Sequence, residues 1–402
     1  MKVDPDFYSL LTILIVSVLV LFFIYGKRNL RHQNLLSFGF LLRLFLLFAD
    51  YYHWFPILHS GSDTEGFHRI ALRNAHSLVK YVITNYTVFL TFVYEATDCS
   101  RLIAQFINVL LGIGIIVLVQ QCMRMLKINK VTELTVVCVL VFLPNLTIFS
   151  AILLREAWVE FFVALSLYFF VKWFIYGNAL NIVLVVVSML TASYMHSGVI
   201  GLLVGYAIAF IAYNPKIQKA TFSKTTVISL ILLIVLSVGL SSHLELFTEK
   251  FASYDNLDDI VDIANSKGGG GADYLTWINT NSVTQSILLA PLKMFYFLFS
   301  PLPTEWRGMK DIVGFLIDGA VYMGLCYSIM KHKAQSKVHA KLKYFLLISL
   351  IAVTFIFAYG AKNAGTAIRH RAKIISVVLV IYALGNVEKK MIKEEQNRCI
   401  YI

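Results

Sequence analysis

Charge is the scarcest property of this chain: Asp, Glu, Lys and Arg make up 14% of its 402 residues, whereas 58% are hydrophobic and the mean hydropathy is +0.73. That balance excludes an ordinary soluble domain. Cysteine has no pattern either. Cys99, Cys122, Cys138, Cys326 and Cys399 show neither disulfide nor metal spacing, and most lie in or beside apolar runs. No P-loop, GxGxxG or zinc signature is present, so no metal and no cofactor are expected. The polar loops between apolar runs on the basic side are too short to hold a nucleotide, which argues against nucleotide-sugar chemistry in the cytoplasm. Internal repeats are missing, and no polar stretch is long enough to fold alone. Residues 1–402 are therefore expected to form a single membrane domain.

Long apolar runs are abundant. A helix needs ~17–25 such residues to cross the hydrocarbon, and their number here predicts an all-α, polytopic transmembrane helical bundle. The formal net charge of +12 would suggest nucleic acid in a soluble protein. Here the lysines gather in short loops, as the positive-inside rule requires, and no nucleic-acid partner is expected.

Phe7–Tyr25 is too long and too early for a cleavable signal, so it reads as the first span. Lys27, Arg28 and Arg31 follow it, which places the N-terminus outside. Asn34–Ala49 returns outward, and Asp50–Arg101 is a long external loop. Leu102–Gln120, Val131–Ser150, Ala157–Tyr176, Leu180–Tyr194, Val199–Tyr213 and Thr225–Ser241 then alternate, up to a second external loop at Ser242–Ser286. Ile287–Leu302 is broken by Pro291 and Pro301. If it crossed, the lysine-rich loop from Lys331 to Lys343 would lie outside, against the charge rule. It is therefore expected to be re-entrant or interfacial, like the short Val82–Glu95 segment. Ile312–Met330, Tyr344–Tyr359 and Ala372–Val387 complete about eleven spans by this charge-bias argument, with the C-terminus cytoplasmic.

The clusters that carry chemistry fall at the outer edge in this topology. The run LPNLTIFSAILLREAWVEFF places Arg155 and Glu156 where two apolar stretches meet, with Glu160 one turn on. Charges in such surroundings cost roughly 2.5–3.5 kcal/mol each at the bilayer centre, so they are kept for a purpose or sit at an edge. A structural ion pair is the plainer use of Arg155 and Glu156. In SDTEGFHRIALRNAHSLVKYV, Ser62 and Glu65 have capping-box spacing. Arg69, Arg73, His76 and Lys80 then form one basic stripe of an amphipathic helix. It suits either anchoring to headgroups or holding a lipid-linked phosphate, with Asp63 and Glu65 as nearby acids. His196, in YMHSGV, stands at a helix end and is either a packing residue or a base. NAGTAIRHR carries Arg369, His370 and Arg371 after Lys362, dense in donors that match phosphate oxygens. Arg43 and Asp318 are read as a structural pair between helices. The acidic Asp255–Asp273 stretch, with Asp258, Asp259 and Asp262, lacks calcium-loop spacing and reads as a lid or plain loop.

These residues together give the chain a resemblance to bacterial polysaccharide repeat-unit polymerases of the Wzy type, within the wider GT-C-like membrane glycosyltransferases. The resemblance rests on the early SDTEGFHRIA segment, the LPNLTIFSAILLREAWVEFF run, YMHSGV, and NAGTAIRHR before the last span. It implies O-antigen or capsule synthesis: a growing glycan moves from undecaprenyl diphosphate to a new lipid-linked repeat unit at the outer face of the bacterial cytoplasmic (inner) membrane. The implied partners are lipid-linked oligosaccharide, membrane lipid and a chain-length regulator protein. For that chemistry Arg155, Arg369 and Arg371 are expected to clamp the diphosphate, with Arg69 and Arg73 behind them. His196, Glu156 or Asp63 is expected to take the acceptor proton. Two other readings stay open: a GT-C transferase using a polyprenyl-phosphate sugar, which would need Asp63 or Glu65, and a lipid-linked glycan transporter or flippase.

Overall fold

A computed structural model describes residues 5–27, 30–76, 85–217, 272–278, 282–334 and 336–385, and every regular element among them is helical. The helices group into two compact units, residues 1–121 with 130–164, and residues 122–129 with 165–402. Among the described residues, six helices are long and apolar enough to cross a bilayer. The chain is accordingly a multi-pass membrane protein of the all-α class. Helices dominate for a physical reason: in hydrocarbon every backbone donor and acceptor must be satisfied inside its own segment.

The first unit contains α1 (Pro5–Gly26), α2 (Gln33–Tyr51), α3 (Ser62–Ala75), α4 (Asn85–Ala96), α5 (most of Arg101–Met125), α6 (Lys130–Phe142) and α7 (Pro144–Phe149). The start of α8 (Glu156–Tyr176) also belongs to it. The expected span Val131–Ser150 is not one helix. It breaks at Leu143, which is extended (φ −64°, ψ 112°), because Pro144 has no N–H to give the carbonyl of Leu140. Arg43 supplies the missing donor. Its Nη2 donates to Leu140 O at 2.9 Å, Nε to Ser150 Oγ at 2.9 Å, and Nη1 to Gly39 O at 3.1 Å. A Cβ at residue 112 would lie 2.6 Å from the Ser150 Cβ, so Gly112 is what lets α5 approach this node. Glu160 shares the same narrow gap with Arg43, Gly112 and Leu140.

The second unit continues with α9 (Leu180–Met195), a 3-10 turn (Ser197–Gly201), α10 (Leu202–Ala212), α11 (Val283–Leu288) and α12 (Ala290–Phe299). It ends with α13 (Met309–Lys331), α14 (Lys337–Gly360), α15 (Ala364–Ala372) and α16 (Ile375–Ala383). Its core is aromatic: Phe170 stacks on Tyr206 and Phe174 on Tyr213, each at 4.2 Å between ring centroids. Helix α12 has ten residues, about 15 Å of rise, half of what the hydrocarbon requires. It too stops at a proline. Phe297 O would bond the nitrogen of Pro301, and Arg371 Nη1 donates to it instead at 2.8 Å.

Several expectations change here. Arg43 and Asp318, expected as a pair, each have another partner inside their own unit: Arg43 serves the α6 break, and Asp318 pairs with Arg371. Asp318 lies on a π-turn (Phe315–Gly319) inside α13. The cap of α3 is not made by Ser62 and Glu65. Gly61 is the N-cap, and Thr64 Oγ1 accepts from its N–H at 3.1 Å, leaving the Glu65 carboxylate to bind Arg101 at 2.7 Å. The last expected span, Ala372–Val387, is divided at Lys373–Ile374 between α15 and α16. Thr225–Ser241, Lys80, Asp258, Asp259 and Asp262 lie outside the described residues.

Candidate functional site

In the first unit the 50–101 loop folds back on itself. The apolar face of α3 packs on α4, with Phe67 edge-on to Tyr86 at 5.0 Å and Ala71, Leu90 and Tyr94 buried between them. Leu153 and Trp158, which flank Arg155–Glu156, join the same cluster. The structure thus brings the amphipathic helix and the Arg155–Glu156 junction together.

That junction is non-helical and buried from Ala151 to Leu154. Its carbonyls need donors, and Asn108 on α5 provides them: Nδ2 reaches Ile152 O at 2.7 Å and Leu154 O at 3.0 Å, while Oδ1 accepts from Trp158 Nε1 at 2.8 Å. Glu156 begins α8 and is only 1% exposed; Arg155 is half-buried. Asp63, Arg69 and Arg73 are exposed on α3. Glu65 is drawn into a network in which Arg101 lies 3.8 Å from Asp50, and Gln105 donates to Asp50 at 2.6 Å. His68 sits 2.6 Å from the Tyr94 hydroxyl. Burial, helped by the Arg101 guanidinium, holds its imidazole below the usual value against the pull of Glu65.

In the second unit the groups converge more tightly. The backbone of His196 is extended (φ −154°, ψ 99°) at the end of α9, which turns its side chain away from the helix. The ring meets His370 of α15, with the two Nε2 atoms 3.1 Å apart. Phe357 of α14 packs against both imidazoles, at 5.5 Å and 4.8 Å. Only a glycine at 198 allows this, since a Cβ there would fall 2.4 Å from the Phe357 ring.

Residues 272–278 run beside the start of α15. Asp273 pairs antiparallel with Asn363, Tyr274 N donates to Lys362 O at 3.1 Å, and the Tyr274 hydroxyl donates to Ala361 O at 2.8 Å. Asn363 caps α15 by accepting from Thr366 N at 2.8 Å. Lys293 of α12 is buried, its ammonium 4.7 Å from the Tyr359 ring. Burial lowers Lys362 below the ordinary lysine value. The Lys293 charge lowers Lys362 further, while Asp273 opposes it.

Arg371 has a different task from the one expected of it. It is fully buried, and besides Phe297 O its guanidinium holds Ser300 O at 2.8 Å and the Asp318 carboxylate. The Tyr322 hydroxyl donates to the Arg371 carbonyl at 2.7 Å. Through these contacts Arg371 ties α12, α13 and α15 together, and its complete burial leaves it no open donor face for a diphosphate. Arg369, on the same helix, is half-exposed. Sequence reasoning missed Asn108, Arg101, His68 and the pairing of His370 with His196. No local signal points to them, because each is defined by a partner that packing supplies.

What this arrangement can do is bind an anion through cations and move a proton through imidazole. Among the described residues no cluster of three or more His, Cys, Asp or Glu could hold a metal ion. Comparison with protein-family models, curated proteins and solved structures gives no match for this chain.

Proposed function

We propose that the protein is a membrane glycosyltransferase that polymerises oligosaccharide repeat units. It moves a glycan from undecaprenyl diphosphate to the sugar of a new lipid-linked unit, at the outer face of a bacterial cytoplasmic membrane. The observation that carries this reading is the meeting, in one unit, of His196 with His370 of α15, a helix that also carries Arg369 and follows Lys362. A base and a set of cations are the two things this chemistry needs. Charge develops on the departing diphosphate, and fixed cations aimed at it stabilise the transition state. A base within hydrogen-bond reach takes the acceptor hydroxyl proton.

In this reading Arg369, Lys362 and Lys293 neutralise the diphosphate, and Arg371 sets the frame that holds them. His196 is the base. Arg69 and Arg73, exposed on α3, suit a lipid-phosphate surface, and Arg155–Glu156 serve as a buried junction. About eleven passages, N-terminus outside and C-terminus inside, place both external loops on the substrate side, with α12 half-crossing. The rival reading, single-sugar transfer from a polyprenyl phosphate, would draw its base from Asp63, which is exposed in the first turn of α3.

The test is direct. Cells lacking the protein should accumulate single lipid-linked repeat units, and purified protein should convert such units into a ladder of lengths. Lipid-linked units each lacking one sugar would point to the rival transferase instead. An unchanged lipid-linked pool would reject both.

A further inference from the structure

The chain that joins α2 to α3 carries no Asp, Glu, Lys or Arg from Tyr51 to Gly61. The charge-bias reading makes it the start of an external loop, yet Tyr52, Trp54, Phe55 and Leu58 all stand exposed there. So many large apolar side chains exposed together mark a surface that something covers.

Local geometry decides where those rings go. Helix α2 ends in a Schellman turn: His53 is left-handed (φ 54°), its N–H donates to Asp50 O at 3.3 Å, and the Trp54 N–H donates to Ala49 O at 3.0 Å. The chain reverses direction there, and Trp54 and Phe55 fold back onto α2. Both pack on Phe45, with ring centroids 5.9 Å and 6.2 Å away, and Trp54 also lies nearly parallel to Tyr52. Phe45 belongs with Phe38 and Leu41 to the exposed stripe of α2, at i, i+3 and i+7 of a helix long and apolar enough to cross a bilayer. Trp54 and Phe55 continue that stripe.

Depth follows from the helix rise. Phe45 lies about 7.5 Å below Asp50 along the axis. Asp50 stands at a charged level: Arg101 approaches it at 3.8 Å and holds the partly exposed Glu65 carboxylate of α3 at 2.7 Å. That separation matches the depth of about 5–10 Å to which interfacial segments bury their apolar face. We infer that residues 52–58 are an interfacial anchor: Tyr52, Trp54 and Phe55 sit at the headgroup–acyl boundary of the bilayer and prolong the lipid-facing side of α2. An indole or a phenol suits that place, because its ring is apolar while its N–H or O–H stays wet. The anchor sets the depth at which the charged first turn of α3, with Asp63 and Glu65, meets the membrane surface.

The test uses full-length protein labelled with fluorotryptophan, in nanodiscs of phosphatidylcholine with phosphatidylglycerol. The chain has five tryptophans, and the fluorine signal missing from Trp54→Phe identifies Trp54. Trp54→Tyr gives the same assignment should the first variant fail to fold. A phosphatidylcholine with a nitroxide near the glycerol end of its acyl chain should erase the Trp54 signal, while a gadolinium chelate dissolved in the water should leave it. Erasure by the chelate overturns the anchor, since the ring then faces water, as a sugar-stacking surface would. A signal that neither agent erases also overturns it, since the ring is then covered by protein, such as a second copy of this chain.

Discussion

Removing the Arg371 guanidinium distinguishes a structural tie from a substrate clamp. In Arg371→Met the carbonyls of Phe297 and Ser300 lose their donor, and the Asp318 carboxylate loses its counter-ion in a fully buried place. Hydrogen bonds to a charged group contribute about 1.5–3 kcal/mol each. Breaking one side of a buried ion pair costs about 3–5 kcal/mol, because the remaining charge is stranded. The two figures count much of the same desolvation, so the expected loss is about 3–5 kcal/mol in all. Whole domains are stable by about 5–15 kcal/mol, so the variant should be poorly retained and melt early. Arg371→Met with Asp318→Asn should recover about 1–3 kcal/mol, since the stranded carboxylate is gone while the two carbonyls stay bare. Arg371→Lys should fall between, because an ammonium cannot span acceptors in the planar fork of a guanidinium. The assay is thermal unfolding of detergent-solubilised protein followed by size exclusion. A Met variant with a wild-type melting temperature and no activity would refute the structural account and return Arg371 to the diphosphate.

Two further outcomes are expected. Reporter fusions at Gly61, Asn256 and Gly365 should read outside, and those at Asn29, Gln335 and the C-terminus inside; an outside signal at Gln335 would mean that Ile287–Leu302 crosses. Burial and the Lys293 charge both lower Lys362, so its ammonium loses the proton at lower pH than an ordinary lysine at ~10.4. Acetylation of Lys362, followed by mass spectrometry against pH, should therefore begin at lower pH than normal. In Lys293→Met one of the two causes is gone and the onset should move up, and an unmoved onset would show the two charges to be uncoupled.

The helical class, the membrane setting and the interruption of Ile287–Leu302 were legible in the sequence because they follow from local physics, whereas the break at Leu143 fell inside an expected single span. A run of apolar residues must close its own hydrogen bonds in lipid, and a proline cannot donate. The same holds for the amphipathic face of α3, which depends only on periodicity. His196 at the mouth of α9 could be read from YMHSGV for a similar reason. Partner choice could not. Arg43 and Asp318 looked like a pair because both are charges in apolar surroundings, yet each answers to a different local need, the carbonyl left bare by Pro144 and the guanidinium of Arg371. Arg369 and Arg371 are indistinguishable in NAGTAIRHR; packing buries one among backbone carbonyls and leaves the other half-exposed. His370 becomes more than another donor only when α15 is laid against the end of α9, and Asn108 matters only where a non-helical stretch is buried beside it. The sequence by itself determined where charges and prolines occur; the tertiary structure decided what each one faces, because desolvated groups must be satisfied by whatever packing brings within hydrogen-bond reach.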